Sequence, residues 1–380
     1  MKLLLPAFFA FASVSLFAQE EVKTLSIGAE APSFTLPGTD GQDHSLSDFS
    51  EAKALVVVFT CNHCPDARAA RDKVKTIHAD YQDDGVALIA ISGNDEKALR
   101  LDEIGYSVYG DSFEDMKKVA EEENYQFPYL YDGEKQDVSR AYGAVSTPHV
   151  FVFDADRKLT YTGRIDDARR KTEETGRLYL REAIEATLKG EKPATETTRP
   201  FGCSTKWSYK RDSVTKANER WAALPVTLSE LTEEGAKELA KNETDKLRVI
   251  NFWATTCGPC VAEFPDLIET YRRFQTRDFE LITISTDPVD EKAKVESFLK
   301  KQQAALSPRT VDSVKEEGRE SNNYLYTGDN LDKLAEAIDA DWNGALPHTV
   351  IIAPGGEIVW SHTGKFDPVE LRRAIVKGLE

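Results

Sequence analysis

Five cysteines carry the first chemical signal: Cys61, Cys64, Cys203, Cys257 and Cys260. Four of them form two C-x-x-C pairs, Cys61-Asn62-His63-Cys64 and Cys257-Gly258-Pro259-Cys260. Such a pair can hold a metal, attach a haem or exchange a disulfide. Pro65 and Val261 follow the pairs where c-type haem attachment needs a His. Two pairs can share one zinc ion, but 193 residues separate Cys64 from Cys257, far beyond a compact zinc ribbon. Disulfide exchange needs a thiolate, and a free Cys titrates near about 8.5. A strand-to-helix junction lowers that value, because unpaired N–H groups and the positive helix end face the first sulfur. Cys61 and Cys257 are therefore the expected nucleophiles. Cys64 and Cys260, one turn on, are the resolving thiols at high effective concentration. The alternative is two inert structural disulfides.

Other residues near the pairs qualify this chemistry. His63 lies between its cysteines, where an imidazolium would stabilise the Cys61 thiolate; a solvated loop His is the alternative. Pro259 takes the same place in the second pair and adds no charge. The first couple is thus expected to be the more oxidising, with electrons running from the second to the first. Cys203 is expected to be a small buried residue, reduced at rest, with a relay thiol as the other reading. His149 and His348 directly follow prolines, and a core or edge role on a strand suits them better than ligation.

The elements that must hold these residues occur twice. In the first copy an apolar, β-branched run at 54–60 predicts a buried strand. The first pair follows, then a helix over 66–81, a strand over 86–92 and a helix over 113–124. After Thr147-Pro148 come strands at 149–153 and 159–164 and a helix over 177–188. The second copy has a strand at 247–254, the second pair, a helix over 261–274, a strand at 279–285 and a helix over 291–303. After Leu346-Pro347 come strands at 349–353 and 358–361 and a helix over 368–379. Cys61 to Pro148 spans 87 residues and Cys257 to Pro347 spans 90, which supports duplication. The fold class is α/β: two tandem domains, each a central mixed β-sheet flanked by helices. The domains are 27–189 and 226–380. The polar stretch 190–225 reads as a linker, whose 201–207 portion is expected to dock on the first domain.

Strand, C-x-x-C at a helix start, then a proline opening the next strand resembles the thioredoxin superfamily. The second domain looks like the TlpA/ResA-type exported thioredoxins through Ile-Asn-Phe-Trp-Ala-Thr-Thr-Cys-Gly-Pro-Cys-Val-Ala-Glu-Phe-Pro at 250–265. The first resembles AhpC/TSA-related redoxins through Cys-Asn-His-Cys-Pro at 61–65, Phe-Pro-Tyr-Leu-Tyr-Asp at 127–132 and Gly-Cys-Ser-Thr-Lys-Trp at 202–207. The resemblance implies cis bonds before Pro148 and Pro347, which leave the preceding backbone open to an extended substrate. It also implies proton handling by Glu263, three residues past Cys260; a plain first-turn Glu favoured by the helix dipole is the alternative. Asn251 stands where cytosolic thioredoxins carry a buried Asp, and Thr256 where they carry Trp. Ala54 and Val58 stand where peroxiredoxins carry Pro and Thr, against hydroperoxide reduction.

The bounds agree. A signal peptide is expected over 1–18, an apolar run after Lys2 that ends at Ala18 and is too short for a confident membrane span. It implies a periplasmic or otherwise extracytoplasmic protein. A net charge of −17 argues against nucleic acid. The expected function is dithiol–disulfide exchange with protein thiols and disulfides, fed by an upstream membrane or periplasmic electron donor, with no organic cofactor and no metal. The rivals are a copper-delivery protein using the first pair, a peroxiredoxin-like peroxidase and a non-catalytic scaffold.

Overall fold

A computed structural model describes residues 22–133 and 135–380. The expected signal peptide lies outside the described residues. Among those described, no helix is long and apolar enough to cross a membrane.

Two sheets organise the chain. The first has five strands in the order Tyr129–Tyr131, Val86–Ser92, Ala54–Thr60, His149–Phe153, Leu159–Gly163. The first three run parallel and the last two close the sheet as an antiparallel hairpin. Ala54–Thr60 is central because six of its seven residues are buried, so it needs cover on both faces. One face packs under the helices Arg71–Tyr81 and Tyr179–Leu188 through Val56, Val58, Val74, Ile77 and Ile184. The other buries Leu55, Val57 and Phe59 with Tyr142, Phe151 and Phe153.

The second sheet has six strands: Ser229–Leu231, Asn323–Tyr326, Phe279–Ser285, Leu247–Trp253, His348–Ile352, Ile358–Thr363. Leu247–Trp253 is central and wholly buried, parallel to Phe279–Ser285 and antiparallel to His348–Ile352. The helix Gly258–Phe274 covers one face with Phe264, Leu267, Tyr271 and Phe274.

Several elements differ from expectation. The 66–81 helix is two, Pro65–Ala69 and Arg71–Tyr81, broken at Ala70. The second helix starts at Gly258, because Cys257 itself caps it by accepting from Cys260 N–H at 3.3 Å. The 190–225 stretch is structured. Cys203–Ser204 pairs antiparallel with Ser146–Thr147, and a helix runs over Arg211–Ala222. That helix buries only Trp221, so no apolar stripe announced it.

Trp221 ties this segment to the second sheet. It packs in the core with Tyr271, donates from Nε1 to Gln303 O at 3.1 Å and lies under the Arg272 guanidinium. The two halves meet where the 99–110 loop of the first touches the far end of the helix Gly258–Phe274. Arg277 donates to Gly105 O at 2.8 Å and stacks over Tyr106, and Arg273 reaches Val108 O at 3.3 Å. Arg373 pairs with Glu122 at 2.9 Å.

Trp221→Ala removes a buried ring and its hydrogen bond. It is expected to cost about 3–5 kcal/mol in urea unfolding of the second half. A loss below about 1 kcal/mol would mean that the ring does not anchor the segment.

Candidate functional site

The first pair sits in a loop between Ala54–Thr60 and the helix Pro65–Ala69, whose N-cap is Cys64. Both sulfurs are free and sealed: Cys61 is 2% exposed and Cys64 0%. Cys61 Sγ lies 3.2 Å from Thr147 Oγ1. Cys64 Sγ lies 3.2 Å from Thr147 O and receives the Cys203 N–H at 3.3 Å. Cys64 therefore has a partner in either protonation state, a carbonyl for the thiol and an N–H for the anion. Hydrogen bonds from the Cys203 and Cys61 thiols hold Cys64 far below the usual thiol range, against the effect of burial. Burial, the Cys64 charge and Asp111 push Cys61 well up. The sequence leads to Cys61 as the thiolate, whereas the hydrogen bonds here converge on Cys64. The helix begins after the second cysteine here, so the capping position belongs to Cys64.

His63 is buried, not solvated. Its Nδ1 meets Asp111 Oδ2 at 2.6 Å. Asp111 also accepts the backbone N–H of Asn62 and His63 at 2.9 and 3.1 Å and Asn94 Nδ2 at 2.7 Å. Burial opposes charge on the imidazole, but Asp111 outweighs it and His63 is raised. Burial likewise opposes charge on Asp111, yet His63 and the N–H donors hold it low. The cation between the cysteines thus carries its own counter-ion, and the carboxylate acts on Cys61 with the opposite sign. The charge argument for a more oxidising first centre loses most of its force. Asp111 and Asn94 had no signal in the sequence, since neither belongs to a motif or a periodic pattern.

The Thr147-Pro148 and Leu346-Pro347 bonds are both cis. His149 and His348 lie on the strands behind them. His149 Nε2 meets Thr162 Oγ1 at 3.0 Å, and burial lowers the ring to about 3. His348 bonds Asp339 and Thr363 at 3.0 and 2.8 Å and stacks on Trp342. Both are buried core residues; His348 has both ring nitrogens bonded, whereas Nδ1 of His149 is buried without a partner.

In the second centre Cys257 and Cys260 form a disulfide at the start of a 17-residue helix. Glu263 lies one turn in, fully buried. It accepts Asn251 Nδ2 at 3.0 Å and the Phe366 N–H at 3.2 Å. Burial raises it to about 7 and outweighs both hydrogen bonds. Asn251 gives its other N–H to Thr349 Oγ1 at 2.9 Å, which fixes the amide so that it donates to the carboxyl. Glu263 is therefore a carboxyl that changes charge near neutral pH beneath the redox pair.

Two consequences are measurable. Because Glu263 is raised in the folded chain, its proton stabilises the fold up to its unfolded value, and that support is lost as pH climbs from about 4.5 to about 7. Relative to Glu263→Gln, the wild type should lose roughly 3 kcal/mol across that window and nothing further outside it. A pH-independent difference in paired unfolding curves would contradict a raised Glu263. In the first centre, Asp111→Asn leaves the buried His63 without its counter-ion and should cost about 3–5 kcal/mol. The same measurement checks it, and a loss under about 1 kcal/mol would remove Asp111 from that role.

The comparisons with known proteins fit this geometry. The AhpC/TSA family model matches residues 27–162 and the Redoxin model residues 217–375. A thiol-disulfide oxidoreductase ResA from Geobacillus thermodenitrificans is 25% identical over 139 residues, 37% of this chain and 70% of that protein. The ResA of Bacillus subtilis is 27% identical over 115 residues, 30% of this chain, and the match spans about half, 51%, of its length. Among solved structures, a conserved protein from Geobacillus kaustophilus is 37% identical, covering 48% of this chain and 93% of that one, with a TM-score of 0.43. A hypothetical protein from Sinorhizobium meliloti is 33% identical over 49% of this chain and 97% of that one, at a TM-score of 0.44. The chain belongs to the thioredoxin superfamily, as a tandem of an AhpC/TSA module followed by a redoxin module.

Proposed function

We propose that the protein is an extracytoplasmic thiol–disulfide oxidoreductase that exchanges dithiols and disulfides with protein substrates through two C-x-x-C centres, in domains spanning 27–189 and 226–380. The observation that carries this reading is the second centre: a disulfide at a helix start with a buried carboxyl raised to about 7 behind it. Reducing such a disulfide takes up protons, and a group poised near neutral pH can supply or accept one as the thiols form. The ResA relatives carry the thiol-disulfide oxidoreductase name. Cys257 is the nucleophile there and Cys260 the resolving thiol, with Pro347 beside them. In the first centre Cys61, Cys64, His63 and Pro148 form the corresponding set. An upstream membrane or periplasmic donor supplies the electrons.

The two centres serve separate partners in this arrangement. The contacts between the halves include Arg273 and Arg277, in and just past the last turn of the helix that Cys257 begins. Seventeen residues at 1.5 Å each put Cys257 about 25 Å along that helix from the contact. Asn62 of the first pair, in contrast, donates to Gly110 O at 2.8 Å, in the contacting loop. Direct transfer between the pairs would require the halves to part.

Copper delivery is the second reading, favoured by Cys61, His63 and Asp111, whose ligand atoms lie within 4.8 Å of one another. Asp111 fits it poorly, since its oxygens already accept four hydrogen bonds. His63 Nε2 is buried without a partner and could ligate beside Cys61. Stoichiometric Cu(I) retained after gel filtration would favour this reading over exchange at the first pair.

The exchange reading is tested by Cys260→Ser, which leaves Cys257 unable to resolve. The variant is expected to accumulate mixed disulfides with extracytoplasmic proteins, visible as reductant-sensitive bands that vanish in Cys257→Ser/Cys260→Ser. No trapped protein in either the exported fraction or a whole extract would overturn protein substrates.

A further inference from the structure

The strand edge just before Pro148 is already occupied by the chain itself. Thr147 pairs with Cys203 in an antiparallel ladder, and Ser146 with Ser204. The segment is fastened at both sides. Thr205 N–H donates to Val145 O at 3.1 Å, and its hydroxyl to Ala144 O at 2.6 Å. Lys206 exchanges hydrogen bonds with Asp95 and Asn94, and Gln136 bonds Lys206 O and Ser208 N–H. Trp207 is buried under Arg140, and Phe201 lies beneath Arg164 and Arg169. Gly202 approaches so closely that a Cβ there would stand 1.9 Å from Thr147 O, with φ at +136°. The approach is open only to glycine. Among the described residues, the corresponding edge at Leu346 in the second half carries no paired strand.

The segment places a third sulfur against the buried pair. Cys203 packs on Cys61, Cys64 and Ala67. Cys64 has the Cys61 and Cys203 thiols as hydrogen-bond neighbours, so it stands between them. Cys61 and Cys64 are at most 2% exposed, whereas Cys203 is only partly buried and is followed by exposed Ser204. An external disulfide can therefore reach Cys203 and cannot reach the pair.

We propose that Cys203 is a third redox cysteine, the thiol through which the first centre exchanges with external disulfides. This rests on the exchange reading above and names the group that meets the partner. In the oxidising direction Cys203 passes its thiol proton to the neighbouring Cys64 sulfur as it attacks an external disulfide, forming a mixed disulfide and expelling one thiolate, which takes that proton from Cys64. Cys64 then attacks the Cys203 sulfur and expels the second external thiolate, giving Cys64–Cys203. Cys61 attacks Cys64 and restores Cys203 as a thiol. One external disulfide becomes two thiols, the Cys61/Cys64 dithiol becomes a disulfide, and the two protons released pass to the external thiolates. The reverse sequence oxidises two external thiols to a disulfide and returns the Cys61–Cys64 disulfide to the dithiol through the same bonds. Order and access both follow from the position of Cys64 between its neighbours.

The test uses the full chain, reduced, desalted and mixed with excess oxidised glutathione, then acid-quenched and mapped by mass spectrometry. In the wild type, Cys203–glutathione or Cys64–Cys203 linkages are expected before Cys61–Cys64. Cys61→Ser should halt at Cys64–Cys203. Cys203→Ser and Cys203→Ala should each slow formation of the Cys61–Cys64 bond at least about tenfold, as expected when the accessible thiol is lost. Unchanged rates in both Cys203 variants, or no Cys64–Cys203 bond in Cys61→Ser, would overturn the relay and leave exchange at the second centre standing. A wild type inert at both pairs would overturn the oxidoreductase reading and the relay with it.

Discussion

An ionisable group removed from water loses several kcal/mol of hydration unless the protein supplies partners. Both centres are organised by that constraint. In the first, two sulfurs, an imidazole and a carboxylate are buried together, with the partly buried Cys203 at their margin. Each anion there has its donors: Asp111 has four and Cys64 has the Cys203 N–H. In the second, a single carboxyl is left with two neutral donors and no cation bonded to it, so it answers burial by holding its proton to about pH 7. The remaining architecture serves these placements. The central strands end beside the cysteines, the helices cover the strands, and the 99–110 loop delivers Asn62's partner on one side and the contact between halves on the other.

The same scaffold therefore produces two different charge settings from few substitutions. His63 against Pro259 is the visible one in the sequence, but its effect depends on Asp111, which it holds at 2.6 Å. A cation with a bonded counter-ion acts on a neighbouring sulfur mainly as a dipole. Asn251 makes the complementary point in the second half. Where a carboxylate would repel Glu263, an amide donates to it, which leaves burial as the dominant influence.

What could be read from the sequence followed from periodicity and local motif. Val86–Ser92, Phe279–Ser285 and Pro368–Leu379 have the bounds expected, because continuous apolar runs and a proline-initiated amphipathic stretch are strong local signals. The C-x-x-C pairs and Glu263 were identified by spacing and resemblance. The rest depends on contacts between distant residues. Asn323–Tyr326 and Tyr129–Tyr131 are short edge-side strands completed by pairing rather than pattern. Cys203–Ser204 is two residues long and exists only because Thr147 is opposite. Asp111 reaches the first pair from 48 residues away, and nothing in its neighbours points there.

The tethered strand also sets the terms on which a peptide could reach the first centre. A segment of the same chain competes for its groove at a high effective concentration. A free polypeptide seeking the backbone of Thr147 would have to displace it, together with the Trp207 and Phe201 anchors on either side. Few extended clients bind that tightly through main-chain pairing alone. The first half thus presents a filled edge at Thr147, while among the described residues the edge at Leu346 in the second half has no strand paired to it. One chain carries the same kind of edge twice, filled from within in the first half and left open in the second.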